Sequence, residues 1–95
     1  MNKYEGMVIV KPDLSEEERK TLFNQINDVI TKGEGSILQA SVWSEKRKFH
    51  FPIKKCREGV YYLINFSVAG ALIKDINLAY KLNENILRTL ITKIE

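Results

Sequence analysis

Segments with strand periodicity and segments with helix periodicity alternate along this chain in the order strand, helix, strand, strand, helix, strand. The first strand is predicted over residues 4–11, where β-branched residues are frequent, and it ends at Pro12. Residues 60–68 form the clearest strand, because apolar residues recur there at every second position. A chain of 95 residues has room for one hydrophobic core, so residues 1–95 are expected to fold as a single domain.

Both helices have recognisable ends. Ser15 and Glu18 have the spacing of a capping box, and the first turn carries acids that favour a helix N-terminus. Gly33 is predicted to end this helix in a left-handed conformation, and Asn83 to end the second helix, over about 70–82, in the same way. Each helix has one apolar stripe: Leu22, Phe23, Ile26, Val29 and Ile30 in the first, and Leu72, Ile73, Ile76, Ala79 and Tyr80 in the second.

The second strand, predicted over residues 36–51, changes phase in its middle. Its apolar residues occupy even-numbered positions in the first half and odd-numbered positions in the second half: Leu38, Ala40 and Val42, then Phe49, Phe51 and Ile53. A strand that keeps one face buried needs a bulge between two such halves, here near residues 43–46. Residues 52–59 are predicted to form a polar turn region, and residues 86–94 the last strand.

Two split β-α-β units with right-handed crossovers give an α+β fold, the ferredoxin-like βαββαβ sandwich. Its antiparallel sheet is expected to have the strand order 4-1-3-2, with both helices on one face. The other face stays open, and Met7, Ile9 and Leu63, with Trp43 at the edge, would leave apolar surface there. Such a patch is typical of a protein interface, and the second strand offers an unpaired edge to a partner.

The basic residues are unevenly distributed, although the net charge is only +3. Residues 46–57 contain six cations and no acid, which leaves nine cations and 12 acids for the other 83 residues. The six cations are Lys46, Arg47, Lys48, Lys54, Lys55 and Arg57. Such a cluster favours an anionic partner over a merely solvated hairpin, because cations at this density bind phosphates. Phe49 and Phe51 lie between these cations, and we expect core or partner contact for both rings rather than base stacking.

Residues that could support catalysis or metal binding are few. His50 is the only histidine and Cys56 the only cysteine, and two ligands do not make a zinc site. The lone cysteine also excludes an internal disulfide and indicates a reducing compartment. The sequence shows neither a signal peptide nor an apolar run long enough to span a bilayer. We therefore expect a cytoplasmic protein with no metal, cofactor or membrane partner.

Two other protein classes with this fold fit the sequence poorly. The RNA-recognition motif has an aromatic octamer on its third strand, and residues 59–66 depart from that pattern. A hydrolase of the acylphosphatase kind needs a glycine-rich loop with an arginine after the first strand, where residues 11–13 read Lys-Pro-Asp. No P-loop or dinucleotide-binding glycine pattern occurs either. We expect neither an enzyme nor a small-molecule substrate.

Several segments, in register over the whole chain, match one family pattern. They are Tyr4-Glu5, Pro12, the Leu-Ser-Glu-Glu-Glu run at 14–18, the stretch 43–54, the Glu-Gly-Val-Tyr-Tyr run at 58–62, and the stretch 81–88 with Arg88. In these segments the chain resembles the family of the sixth protein of the bacterial small ribosomal subunit. It departs from the hallmark of that family, which has Gly at Ser44 or Glu45, Ala at His50 and Tyr at Phe51. Trp43 also lies one residue further from Pro52 than in the family pattern.

The resemblance implies a structural protein that is not an enzyme. Members of the family bind the central domain of small-subunit ribosomal RNA together with the eighteenth protein of that subunit. Lysines and arginines would neutralise phosphates and fix the RNA shape, while an apolar face packs against the partner protein. The alternative is a diverged ferredoxin-like interaction or regulatory module without a ribosomal role.

The sequence assigns phosphate contacts first to the basic segment: Lys46, Arg47, Lys48, Lys54, Lys55 and Arg57. Lys3 and Arg88 are secondary candidates, and Arg88 could instead pair across the sheet with Glu5. Contact with the core or with the partner protein is assigned to Trp43, Phe49, Phe51, Tyr61 and Leu63.

Overall fold

The computed structural model describes residues 2–94, with the side chain of Lys46 left out. Its elements are β1 (Asn2–Val10), α1 (Glu16–Lys32), β2 (Ser36–Ile53), β3 (Cys56–Val68), α2 (Ile73–Lys81) and β4 (Ile86–Lys93), with one 3₁₀ turn, Gly70–Leu72, before α2. The strands form one antiparallel sheet in the order β2-β3-β1-β4, which confirms the predicted topology. Within the described residues no helix is long and apolar enough to cross a membrane.

One face of the sheet carries the hydrophobic core, because both helices lay their apolar stripes on it. The strands contribute alternate residues, among them Val8, Val10, Val60, Ile64 and Phe66. The helices contribute Leu22, Ile26, Ile30, Ile76 and Tyr80. The Tyr80 hydroxyl donates a hydrogen bond of 2.8 Å to the Ile26 carbonyl oxygen, which joins α2 to α1. Burial, and secondarily the neighbouring Tyr62, raises the pKa of this phenol, so it remains a donor.

The start of α1 follows the prediction, but its end does not. The Ser15 hydroxyl accepts from the Glu18 amide and the Glu18 carboxylate accepts from the Ser15 amide, both at 3.1 Å. These two bonds complete the capping box. The hydrogen bond from the Ser15 amide, and secondarily the Ser15 hydroxyl, lower the pKa of the Glu18 carboxyl group. The left-handed residue is Glu34, at φ 62°, whereas Gly33 has φ −86°, so the prediction for Gly33 was wrong. A 3.0 Å bond from the Gly35 amide to the Ile30 carbonyl closes the turn instead.

The end of α2 was also mispredicted. Asn83 is not among the left-handed residues of the described chain. Its side-chain oxygen accepts a 3.0 Å bond from the Asn85 amide, and its own amide donates to the Tyr80 carbonyl at 3.1 Å. Asn83 therefore stops the helix with its side chain, which is a common local role for asparagine.

The β2–β3 hairpin is longer than the sequence indicated. β2 continues to Ile53 and β3 begins at Cys56, so the predicted turn region 52–59 is mostly strand. Lys54 and Lys55, at φ 47° and 67°, form a two-residue turn of the kind that suits the right-handed twist of a hairpin. Lysine is unusual at these positions, so residues 54 and 55 carry no sequence signal for so tight a turn.

The predicted bulge in β2 is confirmed. The pairing with β3 shifts register between Val42 and Ser44 and again between Ser44 and Arg47. A further shift between Ile37 and Gln39, which the parity argument missed, directs Ile37 to the core and leaves Leu38 53% exposed. Leu38 was therefore wrongly grouped with the buried parity.

Candidate nucleic-acid interface

The helix-free face of the sheet carries three rows of side chains that run across the strands. Residues directly opposite each other in an antiparallel pair point to the same face, so the register defines the rows. The polar row is Asn65, Glu5 and Thr92; the apolar row is Leu63, Met7 and Leu90; the cationic row is Tyr61, Ile9 and Arg88. Neighbouring rows are two residues apart, about 7 Å.

The apolar row is open to solvent at one end. Leu63 and Met7 are half-buried, and Leu90 on the edge strand is 64% exposed. Met7, Ile9 and Leu63 were expected to leave apolar surface on this face; Met7 and Leu63 do so, but Ile9 is buried, and Leu90 was missed. Leu90 could not be placed from the sequence alone, because only the register of β4 on β1 puts it opposite Met7.

The cationic row extends onto β2 through aromatic contacts. The Trp43 and Tyr61 ring centroids lie 5.7 Å apart, and Phe49 packs 6.3 Å from Tyr61 on the other side. The Arg47 guanidinium lies 5.0 Å from the centre of the Trp43 ring and 6.0 Å from that of Tyr61. These cation–π contacts hold the Arg47 guanidinium beside the two rings without neutralising its charge.

Three contacts hold the end of the hairpin against the sheet. The Lys54 Nζ donates a 2.9 Å bond to the Ile86 carbonyl at the start of β4. Arg19 in α1 pairs with Glu45 in the bulge, with 3.0 Å between Nη1 and Oε1. Gly59 has no side chain, and this lets Phe49 approach β1: a Cβ there would lie 2.9 Å from the Phe49 Cζ and 2.7 Å from the Ile9 Cγ2.

The result is a groove of about 540 Å³ between the end of the hairpin and the cationic row. Of the predicted phosphate-binding residues, Arg47, Lys48 and Arg88 line it together, although Arg88 is 30 or more residues away in sequence. Lys54 lines an adjoining cavity with Arg88. No acidic residue is among the groove-lining side chains that the structure describes.

The remaining predicted cations are not among the described residues that line the groove. Lys55 and Arg57 are exposed at the end of the hairpin, and the Lys46 side chain is outside the described residues. Lys3 is six residues from Ile9 along β1, about 20 Å from the groove. The alternative pairing of Arg88 with Glu5 is wrong, because Arg88 lies opposite Ile9 and Glu5 opposite Thr92.

The five residues assigned to contact with the core or with the partner protein differ in exposure. Tyr61, Leu63 and Phe49 are half-buried, whereas Trp43 is 51% and Phe51 80% exposed. Core contact is therefore excluded for Phe51, which is one of the residues that line the groove. His50 is exposed, Cys56 half-buried, and the described residues contain no group of three or more potential metal-ligating side chains.

Comparison with known proteins agrees with the fold and the motifs. The family model described as ribosomal protein S6 matches residues 3–93. The chain belongs to the ribosomal protein S6 family. It is 37% identical over 95 residues to the small ribosomal subunit protein bS6 of Clostridium acetobutylicum, covering all of this chain and 99% of that protein. It is 38% identical over 95 residues to bS6 of Thermoanaerobacter pseudethanolicus, covering all of this chain and 99% of that protein.

A solved structure supports the same assignment. The crystal structure of 30S ribosomal protein S6 from Thermotoga maritima superposes with a TM-score of 0.87 and 30% identity, covering 97% of this chain and 86% of that one. The chain is thus a structural protein of the small ribosomal subunit, and the expected cytoplasmic, ribosomal location agrees with its family.

In the polar row, the side-chain oxygen Oδ1 of Asn65 is buried and has no hydrogen-bond partner among the described residues. We expect Asn65→Val to raise the free energy of unfolding by about 1 kcal/mol, because it removes the unsatisfied acceptor and adds a β-branched residue to a strand. Urea denaturation measures this, with Ser67→Val on the same face of β3 as the control for strand propensity alone. A gain no larger than that of the control would contradict the assignment.

Proposed function

We propose that this S6 protein binds small-subunit ribosomal RNA, in the central domain, together with a second ribosomal protein that corresponds to the eighteenth protein of the subunit. The carrying observation is the register of the open face, which sets the apolar row directly beside the cationic row. A protein surface and a phosphate surface about 7 Å apart suit a partner protein and an RNA strand that bind side by side.

The apolar side of this interface is supported by Leu63, Met7 and Leu90, with Trp43 at its edge. Aromatic and aliphatic side chains that are exposed in the free protein commonly become the buried centre of an interface. Among the described residues no strand pairs with the outer side of β2, so a partner segment could add to this edge.

The phosphate side is supported by Arg47, Lys48 and Arg88, with Lys54, Lys55, Arg57 and Lys46 next to them in sequence or space. Arg88 lies on β4 of the sheet, and Arg47 and Lys48 lie on β2 in the hairpin, whose end is bonded to the sheet through Lys54. They would contact several phosphates in fixed positions and read the shape of the RNA more than its base sequence.

The test is whether the protein remains bound to small ribosomal subunits in high-salt sucrose gradients. We expect co-sedimentation with the small subunit, and loss of it when Leu63 and Leu90 are both replaced by Asp, which disrupts the apolar row. Leu78 on α2 and Leu82 at its C-cap provide the matched control, since both are exposed and apolar but lie on the helix side. A protein that sediments alone, or as a stable homo-oligomer without RNA, would instead indicate an interaction module outside the ribosome.

A further inference from the structure

The groove at the end of the hairpin differs from a flat phosphate-binding surface. Its volume of about 540 Å³ is within the range of roughly 300 to 1,000 Å³ that is typical of small-molecule sites. Ile9 and Tyr61, which are direct neighbours in the β1–β3 register, are among its lining residues. Arg47 and Lys48 come from β2, and Arg88 comes from β4.

Phe51 is the unexplained residue of this groove. Its side chain is 80% exposed, the highest value among the large apolar residues of the described chain. Phe49 and Tyr61 contact other rings, but the described ring contacts include none for Phe51. Hydration of an aromatic face is costly, so a ring left open beside three cations points to a ligand that is both flat and anionic.

We propose that this groove binds one unpaired nucleotide of an RNA strand. The base stacks on the Phe51 ring, and the two phosphates that flank it contact Arg47, Lys48 and Arg88. This inference rests on the proposed RNA binding and specifies its substrate as a bulged or looped nucleotide.

Charge and shape together favour this occupant over an apolar protein side chain. Three cations and no acid line the groove, so an uncharged side chain would leave the cations without partners. A base within a duplex cannot reach Phe51, because its faces are covered by neighbouring bases. A bulged base is free to stack on an aromatic side chain.

Fluorescence anisotropy with two RNA probes tests the inference. One probe is a fully paired 12-base-pair duplex and the other is the same duplex with a single bulged 2-aminopurine. We expect the bulged probe to bind between about fivefold and a hundredfold more tightly, the range that base–aromatic stacking supplies. Its 2-aminopurine fluorescence should be quenched on binding.

Variants of Phe51 test whether the preference for the bulged probe comes from its aromatic ring. Phe51→Leu should bring the preference for the bulged probe close to one, and Phe51→Trp should retain it because the ring is kept. Leu38→Ala is the matched control, since Leu38 is an exposed apolar residue of the same strand outside the groove. Adenosine 5′-monophosphate should compete poorly, because it lacks the second flanking phosphate.

Each contrary result has a separate meaning. Equal, salt-dependent binding of both probes would overturn the inference and leave the proposed RNA binding intact. A full preference in Phe51→Leu would place the base elsewhere and also overturn it. If adenosine 5′-monophosphate competed at the same concentration as the bulged probe, the groove would be a site for free nucleotides, and the inference would again be wrong. Binding of neither probe would contradict the proposed function itself.

Discussion

Replacing Arg47, Lys48 and Arg88 together with Ala is expected to weaken RNA binding by about a hundredfold to a thousandfold near 0.1 M salt. Each phosphate contact to a duplex adds about 0.9 to the slope of log affinity against log salt, which is close to a factor of ten at that concentration. The slope should therefore become shallower by about two to three. Titrations of one RNA at four or more salt concentrations measure both quantities.

The control for this prediction is a second triple variant with the same change of charge. Lys20, Lys32 and Lys74 are exposed lysines of the two helices, on the opposite side of the sheet from the groove. Replacing all three with Ala lowers the net charge from +3 to 0, as the groove variant does. If both variants lost the same affinity and slope, the effect would come from overall charge and the groove assignment would be wrong.

The fold could be predicted because its signals are local and consistent. The 2-residue period of residues 60–68, the stripes of both helices and the capping box at Ser15 all specify the same element order. The wrong predictions occur at turns, where residues other than the expected ones adopt the left-handed backbone conformation. Glu34 takes the left-handed position expected of Gly33, and two lysines form the turn that usually contains asparagine and glycine.

The candidate site could be predicted only in part, because a sequence does not give register. The basic segment 46–57 is visible as composition, and the structure adds Arg88 to it through the pairing of β4 with β1. The same pairing separates Lys3 from the groove and excludes the Arg88–Glu5 pair. Phe51 illustrates the limit most clearly, since its parity indicated burial, whereas it lies within a further register shift, between Lys48 and Ile53, and is exposed.

Gly59→Ala is expected to lower the free energy of unfolding by about 2 kcal/mol, and the melting temperature by roughly 10 °C. Strand propensity alone would give the opposite sign, because Ala costs less conformational entropy than Gly. The added Cβ would lie 3.0 Å from the Val10 carbonyl oxygen, as well as against Ile9 and Phe49. The carbonyl belongs to the β1–β3 pairing, where Val10 lies opposite Val60, so it cannot move without loss of that pairing.

Two further variants separate this clash from a general glycine effect. Gly33→Ala should change stability by less than about 0.5 kcal/mol, because its Cβ makes one tight contact, at 3.0 Å with the end of the flexible Leu72 side chain, and its φ of −86° suits alanine. Adding Phe49→Leu to Gly59→Ala should restore part of the lost stability, since the Cζ that would lie 2.9 Å away is removed. Thermal denaturation of the wild type, the single variants Gly59→Ala and Phe49→Leu, and the double variant measures the coupling. Strict additivity of the two substitutions would show that Phe49 does not pack on Gly59, and the groove would then lack the wall that this contact builds.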